Sequence, residues 1–293
     1  MECLCLPSYA KINLGLVLLG KREDGYHDIA TVFQQIDLHD EITFRRVSSG
    51  IRITSTDLTL PTNEENLVYR AFRLFQRRVR FKEGMEIHIR KNIPVGAGLG
   101  GGSSNAAVTL LVANRLWGER LSREEIEEMA AEVGSDVPFF LCGGTALARG
   151  RGEILTPFQW FTDYWIVLVC PGICVSTSWA YSQAKIALTK EKKITKFRSI
   201  FKRYTPHALR ETLVNDLEGV VFRRHPVLRK LKEQMYQRDA FYASMSGSGS
   251  SVYGLFFSRE QAEEARTFFS MQQGMTTFFC KPISSDPLDG VSC

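Results

Sequence analysis

Apolar residues recur at short spacing in several segments of the first 55 residues, and these segments have the pattern of strands in a sheet. The segments with this pattern are 9–19, 30–38, 41–47 and 51–54, and a turn is expected at 21–25. Residues 66–80 repeat apolar side chains at helical spacing instead. This spacing predicts an amphipathic helix with one apolar face formed by Leu67, Ala71, Leu74 and Phe75.

After residue 84 the pattern changes repeatedly between the strand and helix periods. A strand at 85–91 is followed by helices at 103–117 and 122–133. Further strands are predicted at 143–149, 153–157, 164–170, on both sides of a loop at 244–250, and at 276–281. Further helices are predicted up to about residue 238 and at 259–271. This mixture of elements predicts an α+β fold.

A change in composition near residues 150–160 predicts a boundary between two lobes. The turn Arg149-Gly-Arg-Gly152 is followed there by a polar and aromatic run. A chain of 293 residues is long enough to form two lobes. We therefore expect an N-terminal lobe over 1–155 and a C-terminal lobe over 156–293.

Five glycines fall within the seven positions 96–102, between the predicted strand 85–91 and the helix 103–117. Glycine has no Cβ atom, so such a loop lets a ligand approach the backbone closely. A glycine loop that leads into a helix N-terminus also presents free N–H groups and a partial positive charge, which suit a phosphate. The expected phosphate-binding residues are Pro94, Val95, Gly96, Ala97, Gly98, Leu99, Gly100, Gly101, Gly102, Ser103 and Ser104.

Three kinds of phosphate site contain a glycine-rich loop of this sort. A Walker-type loop is excluded because no Gly-Lys-Ser/Thr follows the glycines. A dinucleotide site needs a strand after the helix, whereas a second helix is predicted here. A kinase that wraps a nucleoside triphosphate without a Walker lysine remains, beside a plain structural turn, which usually needs only one or two glycines.

Composition excludes some classes of protein. A hydrophobic content of 44% and a charged content of 24% are ordinary for a globular protein. No apolar run reaches the ~18 residues of a membrane-spanning helix. The 7 cysteines lack C-x-x-C spacing, and no signal-peptide pattern precedes them, which favours reduced thiols. We therefore expect a cytoplasmic protein without a membrane partner.

The net charge of +5 is concentrated in one segment, because residues 185–232 contain 14 Lys or Arg against 4 Asp or Glu. Such a basic stretch is found in nucleic-acid-binding proteins. It lacks regularly interleaved aromatic residues and a recognition motif, so a solvated helical face is the preferred interpretation. A nucleic-acid-binding function remains an alternative, and steep salt dependence of binding would indicate it.

The glycine loop at 94–104 closely resembles the ATP loop of the GHMP kinases, which include galacto-, homoserine, mevalonate and phosphomevalonate kinases. Other segments are similar to the members that phosphorylate 4-diphosphocytidyl-2-C-methyl-D-erythritol. These segments are Tyr9-Ala-Lys11-Ile-Asn13, Arg22-Glu-Asp-Gly-Tyr26-His27, Gly134-Ser-Asp136-Val-Pro, Ala148-Arg-Gly-Arg-Gly-Glu153, Asn215-Asp-Leu-Glu218 and Ser246-Gly-Ser-Gly-Ser250. The resemblance covers about residues 7–282. It implies a two-lobed GHMP kinase fold with the active site in the cleft between the lobes.

The resemblance also implies which residues act on the acceptor hydroxyl. Taken alone, Asp136 before Pro138 is typical of a structural turn, and a lysine in an edge strand is usually solvated. In the family, the aspartate that matches Asp136 accepts the hydroxyl proton. The lysine that matches Lys11 lies beside it, where a cation would keep the carboxylate ionised and stabilise the alkoxide.

Expected substrate contacts follow from the same motifs. Asn13 shares a strand face with Lys11 because side chains alternate along a strand. An aromatic ring and an imidazole supply stacking and edge hydrogen bonds to a neutral ring, and the resemblance assigns them to a cytidine pocket. The expected contacts are Asn13, Tyr26, His27, Tyr181, Gly247 and Gly249.

The remaining expectations concern the nucleotide. Asn66 and Lys91 flank the elements that lead to the glycine loop and are expected to contact ATP. The family implies ATP and Mg²⁺, although Asp136 and Glu153 are the only candidate carboxylates for the metal, which often keeps waters and binds through phosphates. The expected partner is a small cytidyl substrate, with no nucleic acid, and the protein is expected to be a monomer or weak homodimer. Another GHMP kinase, of the homoserine or mevalonate type, is the nearest alternative.

Overall fold

The computed structural model describes residues 3–118, 120–184 and 205–284. Its strands are β1 Cys3–Lys21, β2 His27–Val47, β3 Ile51–Ser55, β4 Gly84–Arg90, β5 Thr145–Gly150, β6 Ile154–Pro157, β7 Trp165–Cys170, β8 Tyr242–Met245, β9 Val252–Phe256 and β10 Thr276–Cys280. Its helices are α1 Leu67–Val79, α2 Gly101–Leu116, α3 Arg123–Val133, α4 Val137–Cys142, α5 Thr177–Gln183, α6 Pro206–Thr212, α7 Glu218–Arg224, α8 Pro226–Gln237 and α9 Arg259–Ser270.

The first lobe is built on two long strands. β1 pairs antiparallel with β2 along almost its whole length. The other edge of β2 is shared, because its second half pairs with β4 and its first half with β5. β3 extends the sheet in parallel beside β4, and β6 extends it beside β5. Helices α1 to α4 contribute to the core of this lobe, whose largest buried side chains include Phe72, Phe75, Phe139 and Phe140.

The second lobe contains a four-stranded antiparallel sheet in the order β10-β7-β9-β8. Its strands are short and apolar, and every residue of β8 and β9 is buried. Residues of α7, α8 and α9 pack into one core with strands β7 to β9. The predicted α+β architecture with two lobes is therefore confirmed.

β1 also contacts the second lobe directly. The amide of Leu16 donates to the Val214 carbonyl at 2.8 Å, and the amide of Asp216 donates to the Leu16 carbonyl at 2.8 Å. The Tyr253 hydroxyl donates to the carbonyl of Asn13 at 2.7 Å. An apolar cluster that includes β1 and β2 side chains continues into β7 and β9. The strand that carries Lys11 is thus fixed from both sides of the cleft.

Three local features differ from the sequence prediction. The two strands expected at 30–38 and 41–47 form one strand, because β2 continues through a shift in its register against β1. Helix α2 begins at Gly101 rather than Ser103. Helix α4 was not predicted, since its six residues are almost wholly apolar and include a proline, which is tolerated in a first turn.

The described residues include no helix that is long and apolar enough to cross a membrane. The cysteines of the described ranges carry free thiols. The proposed lobe boundary at 155/156 falls within β6, which ends the first sheet at Pro157. Of the basic segment 185–232, residues 185–204 lie outside the described residues.

Candidate active site

A cavity of about 990 Å³ lies where the two lobes meet. Both lobes contribute to its wall, together with both glycine loops. The predicted residues that line it are Lys11, Asn13, Tyr26, His27, Gly98, Gly100, Ser103, Asp136, Tyr181 and Gly247. Ten of the expected site residues, which come from segments far apart in the chain, therefore share one cavity.

Lys11 is held from three directions inside this cavity. Its side chain is only 5% exposed, and its Nζ donates to Asn13 Oδ1 at 2.6 Å. Nζ also lies 3.4 Å from Asp136 Oδ2 and 4.7 Å from the centre of the Phe33 ring. Its backbone amide donates to the Leu99 carbonyl at 2.9 Å, which ties β1 to the glycine loop. The lysine is buried and paired, unlike an ordinary solvated lysine of an edge strand.

Asp136 immediately precedes helix α4. Its side chain makes no capping hydrogen bond to that helix and is 33% exposed. The carboxylate therefore stays accessible from the cavity while its Oδ2 atom faces the Lys11 ammonium. A carboxylate that is open to ligand and paired with a buried cation can accept a proton from a hydroxyl and have the resulting charge stabilised.

The first glycine loop reaches the cavity through some of its residues only. Gly98, Gly100 and Ser103 line the wall. Gly96, Gly98 and Gly100 all have positive φ angles, and Gly100 occupies the cap position of α2. The N-terminus of α2 is therefore directed at the cavity, with its free N–H groups available to an anion.

The two serines after the loop have different surroundings. Ser104 is buried, and its Oγ accepts a hydrogen bond from Ser8 Oγ at 2.7 Å. Ser103 lines the cavity instead. The spacing along the helix explains the difference, because consecutive helical residues point about 100° apart. Ser103 is thus the hydroxyl that is available to a ligand.

The second glycine loop packs against the first. Ser246 Oγ donates to the Gly98 carbonyl at 2.9 Å, and Gly247 lines the cavity. Asn215 supports this loop, since its Nδ2 donates to the Gly247 carbonyl at 2.8 Å. Gly249 lies away from the cavity wall, and a Cβ atom there would meet the Met245 sulfur at 2.9 Å. This glycine is therefore explained by its φ angle of +93°, which side chains disfavour, together with packing against Met245.

The side chains of Tyr26, His27 and Tyr181 line one part of the cavity wall, the aromatic end. The His27 and Tyr181 rings have centroids 5.5 Å apart, and the Arg151 guanidinium lies 5.0 Å from the centre of the Tyr26 ring. Burial, followed by the nearby charge of Lys21, lowers the pKa of His27 below its ordinary value of 6.5. A neutral imidazole is both a donor and an acceptor, so this end suits a flat polar ring.

Asn66 and Lys91 are absent from the cavity wall. Asn66 caps α1, with its Oδ1 accepting from the Val68 amide at 2.9 Å. Lys91 Nζ pairs with the buried Asp40 carboxylate at 2.9 Å. That carboxylate also accepts from the Ile93 amide at 2.8 Å. Asn66 thus caps α1 and Lys91 is paired with Asp40, and their expected contact with ATP stays a prediction.

Sequence reasoning missed several lining residues. Lys21, Asp24, Phe33 and Arg151 all contribute to the wall. Arg151 lies inside a motif that the resemblance had already marked, but nothing in the motif distinguished its side chain from that of Arg149.

Glu153, the second candidate metal carboxylate, accepts from the Arg151 amide at 2.6 Å and closes its own turn. The described residues contain no cluster of three acidic, histidine or cysteine side chains arranged to hold a metal.

Comparisons with known proteins agree with this architecture. The family described as GHMP kinases N terminal domain matches residues 66–144, and GHMP kinases C terminal matches residues 204–271. A 4-diphosphocytidyl-2-C-methyl-D-erythritol kinase from Alkaliphilus metalliredigens is 41% identical over 267 residues, which are 90% of this chain and 92% of that protein. A second, from Syntrophomonas wolfei, is 42% identical over 267 residues, covering 91% and 94%.

Solved structures support the same assignment. A 4-(cytidine 5'-diphospho)-2C-methyl-D-erythritol kinase has a TM-score of 0.76 and 32% identity, covering 95% of this chain and 99% of that one. A homoserine kinase from Cytophaga hutchinsonii has a TM-score of 0.77, covering 98% and 96%, but at 17% identity it shows the fold alone. The predicted fold and family are confirmed, and this chain belongs to the GHMP kinases, in the family of the 4-diphosphocytidyl-2-C-methyl-D-erythritol kinases.

Proposed function

We propose that the protein transfers the γ-phosphate of ATP to the 2-hydroxyl of 4-diphosphocytidyl-2-C-methyl-D-erythritol, giving the 2-phosphate and ADP. The reaction is a step of the non-mevalonate route to isoprenoid precursors. The observation that carries this proposal is the Lys11–Asp136 pair, with its 3.4 Å separation, inside a cavity that has a glycine loop and an aromatic group in its wall.

Asp136 is the proposed base for the acceptor hydroxyl. As the oxygen–phosphorus bond to the substrate forms and the bond to the ADP oxygen breaks, the hydroxyl proton passes to the carboxylate. Lys11 stabilises the negative charge that develops on the acceptor oxygen. This arrangement needs no covalent intermediate, because phosphoryl transfer depends on positioning and charge stabilisation.

The glycine loop is the proposed site of the triphosphate. The free N–H groups at the start of α2 neutralise phosphate charge, and Ser103 adds a hydroxyl at the cavity wall. Mg²⁺ is proposed as the cofactor, and it would neutralise phosphate charge when bound. The hydroxyl oxygen of Ser103 fits this ion, since Mg²⁺ prefers oxygen ligands and keeps several waters on a phosphate-bound site.

The aromatic end is the proposed cytidine pocket. Tyr26 and Tyr181 supply ring faces, and a neutral His27 can donate to one atom of a cytosine edge or accept from another. The lowered pKa of His27 supports this assignment, because it keeps the imidazole uncharged at neutral pH. We further propose a cytoplasmic monomer or weak homodimer without nucleic-acid or membrane partners.

The test is ADP release from purified protein with ATP and Mg²⁺, measured on the cytidyl substrate, homoserine and mevalonate. Turnover is expected on the cytidyl substrate alone. Asp136→Asn should lower kcat by about 10²–10⁴-fold, the usual contribution of a positioned base. Asp163→Asn is the matched control, because Asp163 is an exposed aspartate that does not line the cavity.

Other outcomes would redirect the assignment. Turnover on homoserine or mevalonate would keep the Lys11–Asp136 chemistry and overturn the cytidine pocket. No turnover on any alcohol, together with salt-dependent binding of DNA or RNA, would favour the basic segment 185–232 as the functional surface. Full activity of Asp136→Asn would remove Asp136 as the base.

A further inference from the structure

Thr31 lies directly behind the reacting groups without lining the cavity. It is fully buried on β2. Its Oγ1 accepts a hydrogen bond from Asn13 Nδ2 at 2.8 Å and donates one to the Gly15 carbonyl at 2.5 Å. Gly15 falls where the register between β1 and β2 shifts, between Asn13 and Leu16. The irregularity in the strand pair thus brings a carbonyl oxygen to the threonine.

The number of available protons fixes the direction of this chain of hydrogen bonds. A threonine hydroxyl has one proton. Since that proton is donated to Gly15, the oxygen of Thr31 can only accept, and Asn13 must turn its NH₂ group towards it. The amide oxygen of Asn13 then faces the opposite way, where it accepts from Lys11 Nζ at 2.6 Å.

The orientation of this amide matters because its two ends differ in charge. Rotating the Asn13 side chain by a half-turn would place the NH₂ group against the Lys11 ammonium, where two donors repel each other. Nζ would then lose its acceptor and move relative to Asp136, which lies 3.4 Å away. In the observed arrangement, Asn13 accepts one of the three N–H donors of Lys11, and Asp136 faces the ammonium at ion-pair distance. Lys11 therefore keeps N–H donors for the acceptor oxygen.

We propose that Thr31 is a positioning residue, which sets the Asn13 amide so that Lys11 keeps one N–H directed at the reacting oxygen. Thr31 acts through Asn13 and Lys11 and does not contact substrate. This inference rests on the proposed kinase function. It concerns transfer of the phosphoryl group rather than nucleotide binding, because neither Thr31 nor Asn13 is part of the glycine loop.

The first experiment compares Thr31→Val with Thr31→Ser in steady-state kinetics. Valine has nearly the same shape and also favours a strand, but it lacks the hydroxyl. We expect Thr31→Val to lower kcat by about 10–100-fold, the range found when a residue that orients an active-site side chain is removed. The KM for ATP should stay unchanged within about twofold. Thr31→Ser keeps the hydroxyl and should recover most of the loss in kcat.

Two controls separate positioning from a general loss of structure. Thr109→Val removes another fully buried threonine hydroxyl, which donates to the Asn105 carbonyl at 2.7 Å, and should leave kcat within about twofold of wild type. Asn13→Asp replaces the amide with a carboxylate, which has no NH₂ end to misplace. Thr31→Val should therefore lower kcat much less in the Asn13→Asp background than in the wild type. The difference between these two reductions is the coupling that a double-mutant cycle measures.

A second measurement needs no substrate. The side-chain amide resonance of ¹⁵N-labelled Asn13, assigned by its disappearance in Asn13→Asp, should shift and exchange faster in Thr31→Val but stay unchanged in Thr31→Ser. An unchanged resonance would overturn the proposal even if the protein acts on another alcohol. Equal losses of kcat from Thr31→Val in both backgrounds would overturn it as well. If the wild type shows no turnover but the Asn13 resonance shifts in Thr31→Val, the result would count against the proposed function and not against the positioning of Asn13 by Thr31.

Discussion

Gly98 lies where the two glycine loops touch, and replacing it with alanine tests how closely they must pack. A Cβ atom at this position would meet the Ser246 carbonyl oxygen at 2.3 Å and the Gly249 carbonyl oxygen at 3.0 Å. Both obstacles are backbone atoms, so no side chain can rotate away. The φ angle of Gly98 is also +78°, in the left-handed region that alanine disfavours.

Alanine at this position would destabilise the folded protein in two ways. The left-handed conformation costs a non-glycine residue about 1–2 kcal/mol. Forcing extra volume into a packed site costs about 1–3 kcal/mol more. We therefore expect Gly98→Ala to lower the free energy of unfolding by about 2–5 kcal/mol, which is a large part of the ~5–15 kcal/mol typical of a folded protein. The KM for ATP should rise as well, because the loop must shift to relieve the contact.

Gly274 provides a matched control. Its φ angle is +77°, and nothing lies within 4 Å of the Cβ atom that alanine would add. Gly274→Ala therefore bears the backbone strain alone, and the effect of alanine on the unfolded chain cancels between the two variants. The assay is urea unfolding of both variants, followed by kinetics at saturating cytidyl substrate. A difference in unfolding free energy below about 0.5 kcal/mol would refute the reasoning, since packing should contribute at least about 1 kcal/mol.

Two further predictions concern buried or shielded charges. Asp40→Asn should lower the free energy of unfolding by about 3–5 kcal/mol in urea denaturation, because it leaves Lys91 buried without its counter-charge; a loss below about 1 kcal/mol would contradict this. The lowered pKa of His27 means that the imidazole is half-protonated only below pH 6.5. The kcat/KM for the cytidyl substrate should fall as pH drops through that lowered pKa, and Lys21→Met should move this decline to higher pH; an identical profile in the variant would exclude the effect of Lys21.

The elements that sequence analysis predicted well are those whose signal is local. The glycine loop and α2 follow from adjacent residues, and α1 follows from apolar residues at helical spacing along one face. β2 could not be predicted as one strand, because its continuity depends on a register shift against β1. Helix α4 was missed because a short apolar run has no recognisable period.

Sequence analysis identified ten residues that line the cavity but not the contacts that support them. Lys11 and Asp136 come from motifs that resemble a known family, and the fold brings them within 3.4 Å. Lys91 was expected to contact the nucleotide, and its ion pair with a buried acid was not foreseen. A basic residue at the end of a strand has the same sequence pattern in both cases. Its partner Asp40 lies 51 positions away, and no local pattern connects the two residues.

The contacts of β1 with distant segments have a consequence for synthesis of the protein. Asn13 leaves the ribosome well before Ser246, yet its backbone amide donates to Ser246 Oγ, which follows 233 positions later. β1 and β2 can pair early, but the groups around Lys11 stay incomplete until the segment after α8 has been made. Contacts of such long sequence separation form slowly. Catalytic activity is therefore a late signal of folding, and a chain truncated before residue 246 should form its first sheet without turnover.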